Sequence, residues 1–148
     1  MTQPPEKLTH KPFAVILGSL ALAASAFAHT PPHDARVFFI EPQDGATVTS
    51  PVRVRMGIEG FGVTPAGTKG QRRHTAGHHH VLIDLEQPPD LDEPVPSDNR
   101  HVHLDGGETE VLLDLAPGEH TLQLLLGDED HEPHAPPLIS DKIRILVR

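Results

Sequence analysis

Between Val52 and Ile58 apolar and polar positions alternate without a break. Val52, Val54, Met56 and Ile58 point one way and Arg53, Arg55 and Gly57 the other. Successive side chains on a strand face opposite sides of a sheet, so this segment predicts a half-buried strand with its basic residues in solvent. Similar apolar runs predict strands over 36–41, 79–85, 100–104, 109–115, 119–127 (the most apolar) and 142–147, where Ile143, Ile145 and Val147 share a face. Turn chemistry separates them. Pro42-Gln43-Asp44-Gly45 follows the first strand, Asp105-Gly106-Gly107-Glu108 predicts a hairpin between 100–104 and 109–115, and Pro117-Gly118 suits a type II turn.

The remaining segments predict loops. Residues 60–77 lose all periodicity and carry a basic group at Lys69, Arg72 and Arg73. Residues 87–99 are broken by Pro88, Pro89, Pro94 and Pro96, and residues 128–137 are acidic and rich in His and Pro. No segment after residue 28 has a helical period. About seven strands with turns between them predict an all-β fold, an immunoglobulin-like antiparallel β-sandwich. A cupredoxin-like barrel is the nearest competitor.

Composition narrows the function. The chain has 148 residues, 12 of them histidine, no cysteine, and a formal charge of -9 with histidine neutral. The missing cysteine excludes disulfides, thiolate metal sites, a blue-copper centre and a lipoprotein anchor. The acidic balance argues against nucleic acid as a partner. Lys7, His10 and Lys11 precede an uncharged run over 13–28 that ends in Ala26-Phe27-Ala28, a small-x-small cleavage pattern. Residues 1–28 therefore predict a cleavable signal peptide, leaving one domain over 29–148 in the periplasm or secreted. The apolar run is short for a membrane span, so none is expected after cleavage.

The histidines carry the candidate chemistry. In Gly77-His78-His79-His80-Val81-Leu82-Ile83-Asp84, strand alternation puts His78 and His80 on one face. His79 falls on the other with Val81, Ile83 and Leu85, where it is expected as a core histidine with its hydrogen bonds satisfied. His103 is expected to join the pair from a neighbouring strand, and His131 and His134 to close the site from the acidic loop. Those five are the candidate metal ligands. Asp84, Asp128 and Asp130 are candidate carboxylate ligands or hydrogen-bond partners that fix the imidazole tautomers. Without thiolates, Cu(II) or Zn(II) matches the donors, for buffering or delivery.

Cleavage after Ala28 would also make His29 the first residue, where α-amine and ring nitrogen can chelate Cu(II) together. The competing reading is that any residue can follow a cleavage site, and the letters leave the two open. His120 is expected to be structural, and His33, His74 and His101 exposed. The competing reading is a non-catalytic interaction module for an envelope protein, with structural histidines. No catalytic signature appears: Ser140, Asp84 and His80 lack a G-x-S-x-G elbow, and no H-E-x-x-H occurs. The letters leave the oligomeric state open.

Several segments together resemble a bacterial domain-of-unknown-function family of small exported proteins. They are Phe39 through Val48, Pro65-Ala66-Gly67, Gly77-His78-His79-His80 with Val81-Leu82-Ile83-Asp84, Gly106 through Glu110, Pro117 through Leu124, and Gly127-Asp128 through His131-Glu132-Pro133-His134. The GHHH and H-x-P-H motifs are the distinctive parts. The resemblance implies a shared fold and export and no assigned activity. Some members carry cell-shape or ATPase labels, but this chain has no G-x-x-x-x-G-K-[ST] phosphate loop.

Overall fold

The structure, a computed structural model, describes residues 30–69 and 75–148. The expected signal peptide, His29, Arg72, Arg73 and His74 lie outside them. Among the described residues there are nine strands and no helix: β1 (Arg36–Glu41), β2 (Ala46–Val48), β3 (Val52–Glu59), β4 (Gly62–Val63), β5 (Ala76–Ile83), β6 (His101–His103), β7 (Glu110–Leu113), β8 (Gly118–Gly127) and β9 (Ile143–Val147). The chain is all-β.

One sheet has the order β1-β3-β7 and is antiparallel throughout. The other runs β2-β9-β8-β5-β4, with β6 also paired to β5. Two of its pairings, β2 with β9 and β4 with β5, are parallel, so this sheet is mixed where an antiparallel one was expected. The expected hairpin over 100–115 does not form. β6 pairs with β5 while β7 pairs with β3, so Asp105-Gly106-Gly107-Glu108 carries the chain from one sheet to the other. Within this turn the Glu108 carboxylate accepts from Gly106 N at 2.9 Å, and Gly107 N donates to Leu104 O at 3.0 Å. β2 and β4 are additions; each is too short to show a period.

Both sheets contribute to one core. Val37, Val52, Val54, Met56 and Leu113 from the first meet Val81, Ile83, Leu122, Leu124, Leu126, Ile143, Ile145 and Val147 from the second. This is the side that the alternating apolar positions predicted. Leu124 is wholly buried, and its truncation to Ala should cost about 2–5 kcal/mol.

β5 is buried along its whole length, because it is central in its sheet and covered on both faces. Val81 and Ile83 face the first sheet. Leu82 faces outward, where it joins Leu125 and Val95 in a second apolar cluster. Residues 86–99 and the loop after β8 thus roof the outer face. By alternation His78 and His80 lie on that roofed side with Leu82.

Candidate metal centre

Register brings the first three histidines together. His80 lies opposite His103 across the β5–β6 pairing and opposite Leu125 across β5–β8, while His78 lies opposite Gly127. Glycine is required there for room: a Cβ on residue 127 would stand 2.6 Å from His80 Cε1 and 3.3 Å from the His131 backbone. The missing side chain leaves space for the imidazoles beneath the loop.

That loop delivers the fourth ring. Asp128 Oδ1 accepts from the backbone of Asp130 and Glu132, at 2.9 and 3.0 Å, and Asp128 N donates to Glu132 O at 2.9 Å. His131 sits at the tip with φ of 66°. This left-handed conformation costs a non-glycine residue about 1–3 kcal/mol and persists where the surroundings enforce it. Here they do: His131 N donates to Asp128 O, and Val95 N donates to His131 O at 3.0 Å. The strained backbone turns the ring in over β5.

The result is a group of four, His78, His80, His103 and His131, each offering a ring nitrogen within 4.8 Å of the others. His78 Nε2 lies 2.9 Å from His131 Nδ1, and His103 Nδ1 lies 3.2 Å from the same atom. Nitrogens bound tetrahedrally at 2.0–2.1 Å from one zinc ion would be about 3.3 Å apart, so small adjustments suffice. Proton placement supports this. His103 Nε2 donates to Pro96 O at 2.7 Å, which leaves a lone pair on Nδ1 facing His131. One neutral His131 Nδ1 cannot form linear hydrogen bonds with both His103 and His78. A single cation at the centre would satisfy all three lone pairs.

Burial fixes the charge state. His78 and His80 are wholly inaccessible. Burial, followed by repulsion from His131, lowers the pKa of His78 to about 4. Burial, followed by repulsion from His78, lowers that of His80 to about 2. Both are neutral at physiological pH. His78 Nδ1 and both nitrogens of His80 have no hydrogen-bond partner among the described residues. Buried polar atoms normally have one. His78 enters the group through Nε2 and His80 through one of its two ring nitrogens, so His80 brings an unpartnered nitrogen to it.

The other expected residues fall elsewhere. His134 is buried, but its ring packs edge-on against Phe61 at 5.0 Å and it is not one of the four. Asp84 Oδ2 pairs with His120 Nδ1 at 2.7 Å, and Oδ1 accepts from Thr121 N at 2.8 Å, so it locks the end of β5 to β8. His120 also donates from Nε2 to Ala116 O at 2.8 Å, which gives it the expected structural role. Asp128 shapes the loop, and Asp130 is exposed. His101, expected to be exposed, is instead partly buried, with Nδ1 bonded to Asp98 Oδ1 at 2.8 Å.

His79 corrects one expectation. It is a wholly buried histidine, but neither ring nitrogen has a hydrogen-bond partner among the described residues, so it is not satisfied. The sequence reading also missed Asp105, whose Oδ1 is 3.8 Å from both His78 Nε2 and His103 Nδ1. The signal was there in His101-Val102-His103-Leu104-Asp105, where every second residue can face one way. Its place in a Gly-Gly turn concealed it.

Residues 54–148 match the family described as a domain of unknown function, DUF4399. The chain belongs to this family. All four clustered histidines fall within the matched span, whereas the 39–48 segment precedes it. No curated protein matches the chain.

Proposed function

We propose that this DUF4399 protein is an exported binder of a divalent transition metal, Cu(II) or Zn(II), that buffers or delivers the ion. One observation carries the reading: four imidazoles from three separate chain segments converge with their ligand nitrogens within 4.8 Å. Neutral imidazole is the form that donates to a metal, and burial holds His78 and His80 in it. An all-nitrogen set without sulfur suits Cu(II) and Zn(II) better than Cu(I). The charged start, apolar 13–28 run and Ala26-Phe27-Ala28 pattern support export.

The test is metal analysis of untagged protein, followed by Cu(II) and Zn(II) titration of the metal-free form. One ion per chain is expected, with a higher melting temperature on binding, because a ligand selective for the folded state stabilises it. Absence of stoichiometric binding of either ion would reject the reading.

A further inference from the structure

Asp105 stands at the mouth of the four-histidine group. Its Oδ1 lies 3.8 Å from His78 Nε2, 3.8 Å from His103 Nδ1 and 3.9 Å from His131 Nδ1. These distances are too long for hydrogen bonds and nearly equal. The oxygen is therefore shared among three nitrogens and belongs to none. Its position is fixed by the main chain: Leu104 N donates to His79 O at 3.0 Å, and Ala66 N donates to Asp105 O at 2.9 Å. With Leu104 buried in the core between them, His103 and Asp105 share the outward side.

We propose that Asp105 supplies the oxygen donor that completes this site and forms its solvent door, so that the ion arrives and departs past this carboxylate. The inference rests on the metal-binding reading above and deepens it to a site built for exchange.

Two physical arguments support it. Four neutral imidazoles leave a divalent ion with its whole charge in a poorly solvated place, and one carboxylate halves that charge. Side-chain exposure also falls in steps, from 62% at Asp105 to 31% at His131, 11% at His103 and none at His78. An ion from solvent meets the anionic oxygen first, the half-exposed ring next and the buried rings last. A site meant only to hold the fold together would be closed on every side.

The experiment compares untagged, metal-free wild type with Asp105→Asn, Asp105→Ala and His80→Ala, each titrated with Zn(II) and Cu(II) against a competing chelator. Cu(II) electron paramagnetic resonance serves as the second readout. Both Asp105 variants should melt like the wild type without metal, because the side chain is exposed. They should bind at least about tenfold more weakly, release the ion faster and give an altered Cu(II) spectrum. Wild-type affinity, release and spectrum in both variants would overturn the role of Asp105, while loss of binding in His80→Ala would leave the histidine site standing. A wild type that binds neither ion would remove both.

Discussion

His103 Nε2 donates to the Pro96 carbonyl at 2.7 Å, and this bond decides where the ring's other nitrogen points. A carbonyl can only accept, so the proton belongs on Nε2 and the Nδ1 lone pair faces His131 Nδ1, 3.2 Å away. A proline-rich loop thus fixes the tautomer of a ring on a neighbouring strand. Outer partners of this kind fix ring orientation and raise ligand basicity. His103→Ala should therefore weaken Zn(II) binding by at least tenfold, about 1.4 kcal/mol, in a chelator competition titration. His78→Ala, His80→Ala and His131→Ala should each do the same. A set of four variants that all bind like the parent would place the metal elsewhere.

His134 should behave in the opposite way. It is buried against Phe61, with Nδ1 3.5 Å from Leu126 O, and lies outside the four-ring group. His134→Ala should leave Zn(II) affinity within about threefold of the parent, on the scale of ordinary context effects. It should also destabilise the fold by about 2–4 kcal/mol, as other buried-ring truncations do. Urea unfolding and metal titration of one preparation separate the two effects.

The strand pattern was legible where a face was long enough to show a period. β3 and β9 emerge from their alternation, and the pairing of His78 with His80 follows from it directly. His103 was also legible, because two H-x-H strands can place their rings alike. What was hidden depended on contacts distant in the chain. β6 leaves its apparent hairpin partner for β5, and the loop after β8 aims His131 inward while His134 turns to Phe61. Three residues apart in a loop, nothing local distinguishes those two rings. The left-handed backbone at His131 does, and it arises from bonds to Asp128 and Val95.

Gly127 should be essential to the site although it carries no donor. A methyl group there would meet His80 Cε1 at 2.6 Å and backbone atoms of His131 at 3.3 Å. The ring can move aside only by leaving the group, and the loop backbone has little freedom. Gly127→Ala should cost about 1–3 kcal/mol from overpacking and weaken metal binding more than tenfold. Denaturant melts and the same titration provide the check. Unchanged affinity would mean that His80 is not a ligand.

The metal-free protein should lose stability in mild acid. Burial, the largest cause in each case, holds His78 and His79 at about 4 and His80 at about 2, whereas an unfolded chain titrates histidine near 6.5. As pH falls below about 6.5 the unfolded state takes up protons that the native rings refuse, so stability declines through pH 4. His120 opposes this. Burial lowers its pKa, but the bonds to Asp84 and Ala116 more than offset that and leave it raised. Its contribution is fully present below about 6.5 and fades as pH rises through the folded value. Three depressed rings outweigh one raised ring, and each kcal/mol lost should lower the melting temperature by about 2–8 °C. Thermal melts in chelator at pH 7.5, 6 and 5 should fall in that order, and a flat series would contradict the burial of these rings.

His79 provides a last separation of structure from site. Flanked by two candidate ligands, it lies on the core side of β5, wholly buried, with neither nitrogen bonded among the described residues. An unpaired buried polar group costs about 1–3 kcal/mol, and an apolar residue of similar size avoids the cost. His79→Leu should therefore stabilise the metal-free protein, most clearly near pH 5, where the native ring would otherwise resist protonation. Its metal affinity should match the parent, since ring 79 points away from rings 78 and 80. A stabilised protein with unchanged titration would assign the middle histidine to the core. A lost site would mean instead that this ring holds its neighbours in place through β5.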